Sequence, residues 1–115
     1  MSGFYLPELT TLENFPEKLR SLDLGCPKLT SLDYLPEVSF ELAIAVSDRC
    51  HLLKLLLSKA DFFSFGLYPR NNSVIDDIIN KYRDDIKSGN LTQRKALLAC
   101  QSELIKAGFV ENAQL

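Results

Sequence analysis

Cys50 and His51 are neighbours in the chain, and a thiol beside an imidazole is the first pair that could do chemistry. Such a base converts the thiol into a thiolate nucleophile. The spacing argues against it, because adjacent residues on a helix point about 100° apart. His51 is the one histidine, so Cys26 and Cys100 have no imidazole base of their own. The acidic pairs Asp76-Asp77 and Asp84-Asp85 suggest a metal or a general acid. Lys81, Arg83 and Lys87 interleave with them, and no Asp-x-Asp-x-Asp-Gly loop is present, so a solvated, ion-paired face is expected. Gly-rich phosphate loops and Gly-x-Ser-x-Gly are absent. No catalytic residue, metal or cofactor is therefore expected.

Aromatic residues form the group that rises above this background. Phe62, Phe63, Phe65 and Tyr68 fall close together, and Arg70 follows. Aromatics and arginine dominate binding hot spots. A segment this apolar either lids a core or meets a partner. Phe62 and Phe65 are expected to lean toward the core and Phe63, Tyr68 and Arg70 toward contact. All five are candidate partner-binding residues.

The elements that must position them follow from the rest of the chain. It has 115 residues, 46% hydrophobic and 24% charged, which suits one globular domain spanning 1–115. A net charge of −2 argues against non-specific nucleic-acid binding. The start, Met1 to Glu8, lacks the basic and apolar regions of a secretory signal. The apolar run Leu52 to Tyr68 contains Lys54, Lys59 and Asp61, too charged for a membrane span. The three cysteines match no zinc or redox spacing. Reduced thiols in a cytoplasmic setting are expected, or delivery to a host cell by a signal-less route.

Residues 1–36 are rich in Leu and Pro and contain a repeat. Leu9-Thr10-Thr11-Leu12-Glu13-Asn14-Phe15-Pro16-Glu17 aligns with Leu29-Thr30-Ser31-Leu32-Asp33-Tyr34-Leu35-Pro36-Glu37 at an offset of 20, with five of nine positions identical. Pro7 and Pro27 match at the same offset. Phe15-Pro16-x-x-Leu19-x-x-Leu22-x-Leu24-x-x-Pro27-x-Leu29-x-x-Leu32-x-x-Leu35-Pro36 resembles the 20-residue leucine-rich repeat of secreted bacterial effectors. The resemblance covers about residues 6–36 and implies Leu22-Asp23-Leu24 as a concave strand. Pro27 stands where that family has an Asn.

The same prolines also read as helix starts. Pro7-Glu8, Pro16-Glu17 and Pro36-Glu37 place proline, then an acid, before an apolar-periodic stretch. On that reading 7–13, 16–24 and 27–35 are short helical turns. Helices follow over about 37–46 and 49–61, a loop over 61–72, then helices 74–88 and 93–107, capped by Ser73 and Thr92. Val38, Phe40, Leu42, Ile44 and Val46 also alternate as a strand would, but Phe40, Ala43 and Ile44 share a helix face and Glu-Leu-Ala-Ile-Ala favours helix. One ankyrin helix pair is similar to the stretch from Phe40 to Asp61, as generic helix–turn–helix. Leu97, Leu98, Cys100, Leu104 and Ile105 are expected to face inward on the last helix.

Weighed together, these signals predict a mainly α fold, a compact helical bundle with a Leu/Pro-repeat N-terminal segment and a helical part over 37–115. The alternative is an α/β leucine-rich-repeat stub with a C-terminal helical cap and a scaffold role. The expected function is a non-enzymatic regulator or inhibitor working by protein–protein contact in a bacterial effector system. Its partner is another protein or a second copy in a homodimer, with no nucleic acid and no membrane. A thiol-dependent enzyme is the third reading.

Overall fold

A computed structural model describes residues 3–115. The chain folds as two compact units. One holds the described residues up to Cys50 together with Lys59–Asn71; the other holds His51–Ser58 and Asn72–Leu115.

The first unit is a four-stranded parallel sheet in the order β1-β2-β3-β4. Its strands are β1 (Phe4–Tyr5), β2 (Lys18–Cys26), β3 (Glu37–Ser47) and β4 (Phe62–Tyr68). The sheet corrects the helical bundle. The turn expected over 16–24 is β2, the helix over 37–46 is β3, and the loop over 61–72 contains β4. Among the described residues, α-helix is confined to two elements of the second unit. The α/β alternative fits this solenoid-like arrangement better.

The register explains why strands won. Leu24 pairs with Phe4 on one side and with Ile44 on the other, so the chain returns every twenty residues to the same place on the sheet. β4 follows one residue later, with Ile44 opposite Phe65. The two long strands then bury alternate residues: Leu22, Leu24 and Cys26 on β2, and Leu42, Ile44 and Val46 on β3. The helix propensity of Glu41 to Ala45 yields to this pairing, because a parallel ladder and a buried face together outweigh a few tenths of a kcal/mol per residue, roughly.

The turns repeat with the strands. Leu9 N–H donates to the Leu6 carbonyl at 3.2 Å and Leu29 N–H to the Cys26 carbonyl at 3.1 Å. Phe15 and Leu35 donate to the Leu12 and Leu32 carbonyls, each at 3.1 Å. The Thr11 hydroxyl accepts from Glu13 N–H at 3.3 Å and the Ser31 hydroxyl from Asp33 N–H at 3.1 Å. Thr and Ser exchange at this position because the turn uses only the hydroxyl oxygen. Leu12 and Leu32 are both buried.

The second unit is a short 3-10 helix, Leu53–Leu57, with α1 (Ser73–Lys87) and α2 (Gln93–Lys106). The helix expected over 49–61 is reduced to that 3-10 helix. The two long helices lie within a residue of their sequence-predicted ends. Asn72 rather than Ser73 caps α1, its side chain accepting from Val74 and Ile75 N–H. Thr92 caps α2, accepting from Lys95 N–H. Gly108, at φ 94°, follows the second helix in the left-handed region. α1 buries Ile75, Ile78, Ile79 and Tyr82, whereas α2 buries Ala96, Cys100 and Leu104. Leu98 and Ile105, expected inside, are exposed at 58% and 46%. Glu103 ties the helices, its Oε1 accepting from Tyr82 Oη at 3.0 Å and Lys81 Nζ at 3.1 Å. Among the described residues no helix is long and apolar enough to cross a membrane.

Candidate functional site

Strand alternation divides the sheet into a buried face and an open one. The open face carries Ser21, Asp23 and Gly25 of β2, and Glu41, Ala43 and Ala45 of β3. Phe62, Ser64 and Gly66 complete it on β4, in cross-strand register with them. Its middle combines the exposed Asp23 carboxylate with small side chains, Ala43, Ala45 and Ser64. Aromatic groups stand at both ends.

At one end a β-bulge sets the geometry. Leu19 pairs with Val38 and Ser21 with Glu41, so Arg20 alone opposes Ser39 and Phe40. The extra residue turns Phe40 to the open face, as bulges do. The Arg20 guanidinium carbon lies 4.8 Å from the Phe40 ring centroid, within cation–π range. Phe62 meets Phe40 edge to face, with centroids 5.1 Å apart and planes at 74°. Phe62 remains 59% exposed. Beside them lies a shallow depression of about 330 Å³, lined by Lys18, Leu19, Arg20, Glu37 and Ser39.

At the other end Tyr5 and Tyr68 lie 6.2 Å apart at 56°. Both reach over Gly25, where a Cβ would stand 2.8 Å from the Tyr68 hydroxyl and 3.2 Å from Tyr5 Cδ1. Asn71 folds back at the same end, its Oδ1 accepting from Leu67 N–H at 2.8 Å. It passes over Gly66, where a Cβ would stand 3.0 Å from that oxygen.

The five aromatic-segment residues are therefore split. Phe62 and Tyr68 sit on the open face. Phe63 and Phe65 alternate to the other side, half-buried, with centroids 6.0 Å apart. Arg70 is exposed beyond the strand. Sequence reasoning missed Arg20, Phe40 and Tyr5. The 20-residue period carried the signal, since it places Arg20 beside Phe40 and Tyr5 beside Gly25.

The cysteines offer no ready nucleophile. Cys26, Cys50 and Cys100 are free and buried. Burial pushes the Cys50 thiol up to about 12, helped by neighbouring Cys26. Burial also pushes Cys100 up to about 12, with Glu103 adding to it, and raises Cys26. Asp77 and Asp84 are exposed on α1, and no group of three or more His, Cys, Asp or Glu among the described residues could hold a metal ion.

Compared with known families, curated proteins and solved structures, the chain matches no family model, no curated protein and no solved structure.

Proposed function

We propose that the chain is a non-enzymatic protein-binding module, a short repeat scaffold that presents the open face of its parallel sheet to a partner protein. The observation that carries this reading is the Arg20–Phe40–Phe62 cluster, two aromatic rings and a guanidinium held on adjacent strands and left open to solvent. This is the residue chemistry of a binding hot spot, placed on rigid elements. Protonated, buried thiols support a binding role over thiol catalysis, because the thiolate is the reactive form.

The partner side chains that suit the face are those that enter a shallow trough of Ala43, Ala45 and Ser64 between two aromatic ends. The resemblance of residues 6–36 to effector repeats directs the search to bacterial effector systems. Affinity capture tests the reading, with immobilised wild-type chain beside an Arg20→Ala, Phe62→Ala variant. Partners held by the wild type and lost by the folded variant support it. Partners held equally by both contradict it.

A further inference from the structure

We infer that the exposed face of α2 is a second docking surface, fitted to an acidic amphipathic helix of a partner protein. Leu98, Ser102 and Ile105 follow one another at i, i+4 and i+7, so they share one helix face. All three are exposed. Small Ser102 between two large apolar side chains leaves a notch, the shape that receives a side chain of a packing helix. Arg94 and Lys95 lie one turn before Leu98, and Lys106 lies one turn after Ser102, so cations stand at both ends of the notch.

Charge selects the occupant. Arg94, Lys95 and Lys106 are exposed and make no ion pair among the described residues. The acid on this helix, Glu103, is held by Lys81 and Tyr82 of α1. The face is therefore basic on a chain of net charge −2. Helix energetics do not explain the placement, because Arg94 and Lys95 occupy the first turn, where the helix dipole favours acids. Carboxylates flanking an apolar stripe on a partner helix would meet all three cations while a leucine enters the notch.

The test uses the full chain and two synthetic helical peptides with the same leucine stripe, one flanked by glutamates and one by lysines. Fluorescence anisotropy at low and physiological salt reads affinity, and amide NMR shifts locate the contact. The glutamate peptide is expected to bind about tenfold or more tightly than the lysine peptide, with that preference shrinking as salt rises. An Arg94→Glu, Lys95→Glu, Lys106→Glu variant with an unchanged circular dichroism spectrum is expected to lose the preference. Shifts are expected at Leu98, Ser102 and Ile105, and Leu98→Ser should weaken binding. Equal affinity for the two peptides, or no saturable binding of either, overturns the proposal. So does binding to phosphatidylserine vesicles with none to the glutamate peptide. Self-association of the unliganded chain that Leu98→Ser abolishes in sedimentation would assign the face to a second copy and also overturn it.

Discussion

The Tyr68 hydroxyl occupies the space that a side chain on Gly25 would need, 2.8 Å from the position of its Cβ, so the ring of a β4 residue crosses the sheet to rest on β2. Gly25→Ala forces that ring aside. The displaced atom is the far end of a side chain, and alanine suits a strand better than glycine. Stability is therefore expected to change by less than about 1 kcal/mol. The Tyr5–Tyr68 pair should come apart. Aromatic NMR shifts check this, and unchanged Tyr5 and Tyr68 ring signals would contradict the arrangement.

Leu22 and Asp23 are neighbours on β2 with opposite fates, one fully buried and one exposed. Leu22→Ala is expected to destabilise by about 2–5 kcal/mol, from lost burial and the cavity left behind. Asp23→Ala should stay within about 0.5 kcal/mol. Urea denaturation of both variants measures the contrast. On a helix, where neighbours lie about 100° apart, the contrast would not alternate along 22, 23 and 24 in this way.

Some of this architecture was legible in the residues. The twenty-residue recurrence of Leu, Thr and Pro is the register itself, because Leu24 pairs with Ile44 one period on. The two long helices announced themselves through their apolar spacing and, for the second, its Thr92 cap, whereas the first is capped by Asn72 and not Ser73. β3 was ambiguous, since Phe40, Ala43 and Ile44 fit a helix face as well as Leu42, Ile44 and Val46 fit a strand face. Only pairing with β2 decides, and pairing is a non-local property. β4 read as a loop because Gly66, Pro69 and Asn71 signal turns. Gly66 instead makes room for the Asn71 side chain. The Arg20–Phe40 contact sits at a bulge, where two β3 residues oppose one on β2 and simple alternation fails. Leu98 and Ile105 read as core because they are apolar. Their helix turns Ala96, Cys100 and Leu104 inward instead.

Tyr34 holds a left-handed backbone at φ 65° while 67% exposed. A large side chain is strained there, and this one gains little burial in return. Asparagine tolerates that conformation better than tyrosine. Tyr34→Asn is expected to raise stability by about 0.5–1 kcal/mol. A thermal melt that falls on this substitution would contradict the strain.

Alkaline pH should weaken the fold. The buried thiols of Cys50 and Cys100 are pushed up to about 12, from an ordinary value of 9.0 in the open chain. Their folded values lie above their unfolded ones. The stabilisation is therefore complete below about pH 9 and is lost as pH rises toward 12, where the unfolded chain has already given up those protons. Cys26 and Tyr82, both raised by burial, act in the same direction. Urea midpoints taken from neutral to alkaline pH should fall above about pH 9, and more gently in a Cys50→Ala variant.

The most direct measurement is partner capture on the open sheet face. Wild-type chain, an Arg20→Ala, Phe62→Ala variant and an Asp77→Ala control are immobilised side by side, after circular dichroism shows the same spectrum for all three. Loss of captured partners by the sheet-face variant alone is expected, with truncation of a hot-spot residue costing about 2 kcal/mol or more in affinity. Equal capture by all three chains would contradict the assignment of the sheet face as the binding surface.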